Sequence, residues 1–166
     1  LPFTQLCLNN DGTINPCGAL QHPLGNINEK SLNEIWNDEP IKEFRESILD
    51  GSYKYCGAVK ENFSCNLYNE PLKVKESFEL KAEPSHGIKR LDLDLNAKCN
   101  LECIMCDAWK GENGTYTDEN FWIDARKNIF PYLDEVAFKG GEPMIQADTF
   151  KFFDEVGKVN PNCKWK

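Results

Sequence analysis

Three cysteines crowd one short stretch, Cys99-Asn100-Leu101-Glu102-Cys103-Ile104-Met105-Cys106. In a reducing compartment, thiols at this density bind metal or react rather than form disulfides. Structural zinc usually draws four ligands from two close pairs. Here only Cys103 and Cys106 have a two-residue gap, so zinc fits the trio poorly. A cubane [4Fe–4S] cluster held by three thiolates has one iron without a protein ligand, open to a small molecule. Further along stands Gly140-Gly141-Glu142-Pro143. Glycines let backbone approach a ligand closely, a carboxylate such as Glu142 accepts bonds from an ammonium, and proline stiffens the turn.

Local patterns place both motifs in loops after strands. Residues 88–95 alternate, with Leu91, Leu93 and Leu95 on one side of a strand and Asp92 and Asp94 on a polar face or toward a site interior. The trio follows it directly. Thr117 predicts the cap of a helix carrying Phe121, Trp122, Ala125 and Ile129 as core, closed by Pro131. A second strand at 135–138 runs into Gly140–Pro143. A further helix carries Phe150, Phe153 and Val156 and is expected to end near Gly157. Strand, loop and helix, repeated, is the opening of a parallel α/β fold.

Upstream, the Asp11-Gly12 turn between short apolar runs predicts a hairpin that brings Cys7 and Cys17 together. Ser31 and Glu34 have capping-box spacing ahead of Ile35 and Trp36. Ile41, Phe44 and Ile48 form one face of a helix over 41–49, with Gly51 at its C-terminal cap. Residues 69–87, with Pro71, Pro84 and Gly87 among mixed charges, read as linker.

The spacing of Cys99, Cys103 and Cys106 after a strand resembles the radical S-adenosylmethionine (SAM) superfamily, and Gly140–Pro143 stands where members carry their Gly-Gly-Glu-Pro loop. The resemblance implies that Cys99, Cys103 and Cys106 hold a [4Fe–4S] cluster whose open iron is chelated by SAM. It implies that Met105, Gly140, Gly141, Glu142 and Pro143 contact SAM, Met105 replacing the aromatic residue often found before the third cysteine. One electron then cleaves SAM to a 5′-deoxyadenosyl radical, which abstracts hydrogen from a substrate that these residues do not identify. A flavodoxin or ferredoxin is the implied electron donor, making the enzyme an oxidoreductase. No catalytic residue beyond the cluster ligands is implied.

Cys7, Cys17, Cys56 and Cys65, with the Asp11-Gly12 turn and the helix ending at Gly51, resemble the SPASM module in its shortened form, called twitch. This implies a second, auxiliary [4Fe–4S] cluster. The family pattern expects a close pair beginning at Cys56, which is missing; either Cys65 substitutes or the cluster has three protein ligands. Zinc on the same ligands and unbound cysteines stay open alternatives. The expected fold is α/β, the start of a partial (β/α)6 radical SAM barrel over 88–166, preceded by a linker over 67–87 and a small α+β twitch-like module over 1–66.

At about 30 residues per strand–helix unit, the stretch 88–166 holds two units and the approach to a third. The opening Leu1-Pro2-Phe3 and closing Cys163-Lys164-Trp165-Lys166 likewise predict an N-terminal piece of a longer enzyme. His22 and His86, each in a loop, are expected at the surface, and Cys163 in the core beside a following strand.

The 166 residues carry 19 Lys+Arg against 27 Asp+Glu, a net charge of −8. With no basic run, that charge argues against nucleic acid or an anionic membrane surface as partner. No window approaches the roughly 18 apolar residues of a membrane span, and a soluble, cytoplasmic protein is expected. The alternative from another class is a non-catalytic iron–sulfur protein that carries electrons or binds a partner. A structural zinc protein is a third reading, separated by metal content.

Overall fold

The computed structural model of the chain describes residues 2–18, 20, 22–56, 80–110 and 119–166. Cys65, most of the expected linker and the Thr117 cap lie outside the described residues.

A single six-stranded sheet runs through the described chain in the order β3-β2-β1-β4-β5-β6. Its strands are β1 (Gln5–Leu8), β2 (Thr13–Asn15), β3 (Gly25–Asn26), β4 (Arg90–Asp94), β5 (Glu135–Lys139) and β6 (Lys164–Trp165). The hairpin expected around Asp11-Gly12 is β1–β2, antiparallel, with Asp11 Oδ1 accepting from Thr13 N at 2.9 Å in the turn. On its other edge β1 pairs in parallel with β4, and β4, β5 and β6 continue in parallel. The N-terminal hairpin and the strand before the cysteine trio therefore belong to one sheet.

Strand alternation sorts the sheet into two faces. Leu6, Leu8, Leu91, Leu93, Leu95 and Val136 enter the main core. Gln5, Cys7, Asp92, Asp94 and Lys139 alternate with them on the opposite face.

Among the described residues four helices accompany the sheet: α1 (Leu32–Asn37), α2 (Glu39–Leu49), α3 (Glu119–Asn128) and α4 (Ala147–Val159). The capping box that starts α1 is formed on both sides, Ser31 Oγ accepting from Glu34 N at 3.2 Å and Glu34 Oε2 from Ser31 N at 2.8 Å. Asp38 then caps α2 through Glu39 N at 3.0 Å, with Pro40 in the first turn, where its missing N–H is harmless. Helix α2 ends at Asp50, and Gly51 takes the left-handed φ of 74° that such an ending favours. Trp36 carries the buried Arg45 guanidinium 4.1 Å above its ring, while Arg45 Nε and Nη1 donate to Pro2 O and Ala82 O, each at 2.9 Å.

Phe121, Trp122 and Ala125 of α3 are buried, as their spacing predicts. Helix α4 departs from expectation twice. It continues through Gly157 to Val159, since Asn160, not the glycine, is its C-cap. Its buried line is Thr149, Phe152 and Val156, with Phe150 exposed and Phe153 half-buried. Phe153 turns instead to the sheet edge, 4.6 Å from Trp165 ring to ring. His22 also departs from its expected exposed loop, packing at 4.7 Å from the Tyr55 ring and 5.7 Å from Phe44. Cys163 is buried in the core directly before β6, where the sequence puts it.

Candidate metal centres

The segment 95–98 carries the chain from β4 to the cysteine trio, and the Gly140–Pro143 loop docks directly on it. Gly141 N donates to Asn96 O at 3.3 Å and Glu142 N to Lys98 O at 2.9 Å. Gly140 has φ 96°, a left-handed value. A Cβ on Gly141 would fall 2.8 Å from Ala97 O and nearer still to Lys98 O, so the approach requires glycine. Glu142 Oε1 accepts from Met144 N at 3.1 Å, which fixes its carboxylate at the start of a short turn over Pro143–Ile145.

Two residues without a motif hold this junction. Buried Gln146 sends Nε2 to both Asn96 O and Lys98 O, each at 3.1 Å. Asn96 accepts from Lys98 N through Oδ1 at 2.9 Å and donates through Nδ2 to Asp148 at 2.8 Å. Sequence reading missed both, because Gln146 bonds distant backbone carbonyls and Asn96 a distant carboxylate, and neither leaves a periodic signal. The nearest hint is that Gln146 follows the Gly-Gly-Glu-Pro loop.

In the trio, Cys99 is half-buried and Cys103 and Cys106 are exposed, all three as free thiols. Cys99 Sγ accepts from Leu101 N at 3.4 Å, and Cys106 N donates to Cys103 O at 3.1 Å, turning the loop. Met105 is exposed beside them. Among the described residues no three Cys, His, Asp or Glu side chains converge closely enough to hold a metal ion. The donor set, three reduced thiols on one exposed loop, still suits a thiophilic centre.

The second group lies on the sheet's polar face. Cys7 is buried in β1, its Cα in register with Asn15 on one side and Asp92 on the other. Gln5 Nε2 donates to Cys7 Sγ at 3.9 Å. Burial pushes the Cys7 thiol up to about 11, with the Asp92 charge acting the same way and Lys139 opposing it. Cys17, half-buried, lies near enough to Cys7 to act on its thiol, as the hairpin predicts. Cys17 and Cys56 both border the small apolar cluster of Phe3, Leu20, Phe44 and Ile48. Gly18 faces both groups, since a Cβ there would sit 3.8 Å from Cys7 Sγ and 3.0 Å from Lys139 Nζ. Two reduced thiols from one hairpin suit one end of a cluster site, and Cys56, at the same apolar cluster as Cys17, is the next thiol donor.

Residues 1–66 match the family model of SPASM, an iron-sulfur cluster-binding domain. That match supports iron–sulfur binding by the segment containing Cys7, Cys17, Cys56 and Cys65. No curated protein and no solved structure matches the chain. Within the SPASM segment, α1 and α2 join the hairpin bearing Cys7 and Cys17 to Cys56, in a short turn over Lys54–Cys56. Among the described residues no helix is long and apolar enough to cross a membrane.

Proposed function

We propose that this chain belongs to a cytoplasmic radical SAM enzyme with an auxiliary [4Fe–4S] cluster. In this reading Cys99, Cys103 and Cys106 hold the SAM-binding cluster, and Cys7, Cys17, Cys56 and Cys65 hold the auxiliary one. The observation that carries it is the docking of Gly140–Pro143 on the 96–98 segment, which brings the glycine loop and the chain entering the trio together at the C-terminal ends of β4 and β5. An electron carrier has no need of such a loop. SPASM domains occur in radical SAM enzymes, and the match over 1–66 supports the auxiliary half.

The chemistry such a centre supplies when loaded is one-electron cleavage of SAM and hydrogen abstraction from a substrate. The protein's own part is placement. Glu142, oriented by Met144 N, offers its carboxylate to the SAM ammonium. Gly140 and Gly141 let backbone reach the ligand, Met105 offers a polarizable contact to the adenine, and Gln146 and Asn96 hold the approach to Cys99. The exposed Cys103 and Cys106 leave access for a small electron donor such as flavodoxin or ferredoxin.

Anaerobic reconstitution with iron and sulfide, followed by EPR of the reduced protein with and without SAM, tests the reading. A reduced-cluster signal that shifts on adding SAM and is lost in Cys103→Ala is expected. A cluster signal indifferent to SAM favours a non-catalytic electron carrier, and zinc without iron or sulfide refutes both.

A further inference from the structure

Lys139 ends β5, one residue before the Gly140–Pro143 loop, and its Cα is in register with Asp94. Its ammonium does not extend along the strand toward that loop. It reaches sideways to Asp92 Oδ2 at 2.5 Å, and Asp92 is itself in register with Cys7 on the neighbouring strand. Asp92 is only 5% exposed and also accepts from Arg90 Nε at 2.7 Å. A buried carboxylate requires such cationic partners, so the lysine is held across the strand by a strong constraint. The position at Gly18 measures where this leaves the ammonium: a Cβ there would lie 3.0 Å from Lys139 Nζ and 3.8 Å from Cys7 Sγ. The Lys139 ammonium and the Cys7 sulfur thus lie close to one another, both near the Gly18 Cα. Gln5 Nε2 reaches the same sulfur along β1.

We propose that Lys139 is a positioning residue of the auxiliary site, its ammonium lying against the Cys7 end of the cluster and favouring the reduced state. The proposal rests on the reading that Cys7 is a cluster ligand. The physical reason is charge: reduction adds an electron to an already anionic thiolate–sulfide centre, and a neighbouring cation or N–H donor lowers the cost of that charge. One residue at the end of β5 then serves the auxiliary centre while the four that follow it serve the SAM loop.

The test uses the full chain with Cys99, Cys103 and Cys106 each changed to Ala, so that only the auxiliary site loads. After anaerobic reconstitution, iron and sulfide are assayed and the cluster is titrated by EPR-monitored reduction. Lys139→Met is expected to lower the reduced-to-oxidised ratio about tenfold at the parent's midpoint, a downward shift of about 59 mV for a one-electron couple. Lys139→Arg keeps the charge and is expected to stay near the parent. Asp92→Asn, which removes the competing anion, is expected to shift the midpoint upward. Should Lys139→Met fail to load, Lys139→Leu, neutral and without a donor, gives the same comparison. An unchanged midpoint in the neutral variants at equal iron content overturns the proposal. A parent protein that takes up no iron and sulfide overturns the cluster reading instead, and the role of Lys139 with it, before any lysine variant is compared.

Discussion

Cys7 and Asp92 stand side by side, in register on the parallel strands β1 and β4. The first cysteine of the SPASM segment and the strand that leads into the Cys99–Cys106 loop are therefore hydrogen-bonded neighbours. Arg90 and Lys139 each pair with one oxygen of the buried Asp92 carboxylate.

The junction between the glycine loop and segment 96–98 tolerates no side chain at Gly141. Gly141→Ala drives a methyl group into the Lys98 and Ala97 carbonyls, backbone atoms that cannot swing aside. A loss of about 1–3 kcal/mol is expected, typical of overpacking. Urea denaturation of the metal-free protein measures it, and a variant as stable as the parent would show that the loop does not dock this closely.

Asp94 gives a pH dependence. Desolvation holds its carboxyl above the ordinary carboxylate range, against the opposing pull of Lys139. The folded protein then keeps this proton to higher pH than the unfolded chain. The contribution is most favourable below the ordinary range and is lost as pH rises through it to the raised folded value. Asp94→Asn should accordingly raise Tm at pH 7, and its advantage should shrink toward pH 3. Equal melting shifts at both pH values would contradict the burial argument.

Thiol reactivity separates the cysteines by position. Cys103 and Cys106 are exposed, whereas burial raises the thiols of both Cys7 and Cys163 above their ordinary value. Under anaerobic conditions, iodoacetamide should alkylate Cys103 and Cys106 of the metal-free protein first, with Cys7 and Cys163 last, because the thiolate is the reacting form. Peptide mass mapping over time reads the order.

The phase of α4 is also open to direct measurement. Phe152 is fully buried against Trp122, Phe130 and Phe121, so Phe152→Ala should cost about 3–5 kcal/mol. Phe150 is exposed, and Phe150→Ala should stay within about 0.5 kcal/mol. The reverse order of unfolding midpoints would restore the face read from sequence.

Short-range signals were the legible ones. The Ser31–Glu34 box, the Asp11-Gly12 turn and the leucine alternation at 91, 93 and 95 each lie within a few residues, and each produced the expected element. The spacing of the trio and the glycine loop likewise put both motifs after neighbouring strands. The pairing of β1 with β4 was not legible, because its register is set by the matching of two faces across more than eighty residues of sequence. Helix α4 was misphased because Phe152 and Phe153 are adjacent and both apolar; the choice between them is made by Trp122 on one side and Trp165 on the other. Lys139 and Gln146 act through partners on other strands and loops, which no spacing within their own segments encodes.

The ladder between β1 and β4 also has a mechanical meaning. Neighbouring strands in a sheet are held at about 4.8 Å by their backbone hydrogen bonds, so the two cysteine-bearing regions share one stiff plate instead of sitting on bodies joined by a hinge. Sliding or swinging one against the other would require the pairs from Gln5–Arg90 to Leu8–Leu93 to part. Heat or denaturant should therefore dismantle both regions in one cooperative step, and the separation between their thiol loops behaves as a built dimension of the molecule rather than a variable of its motion.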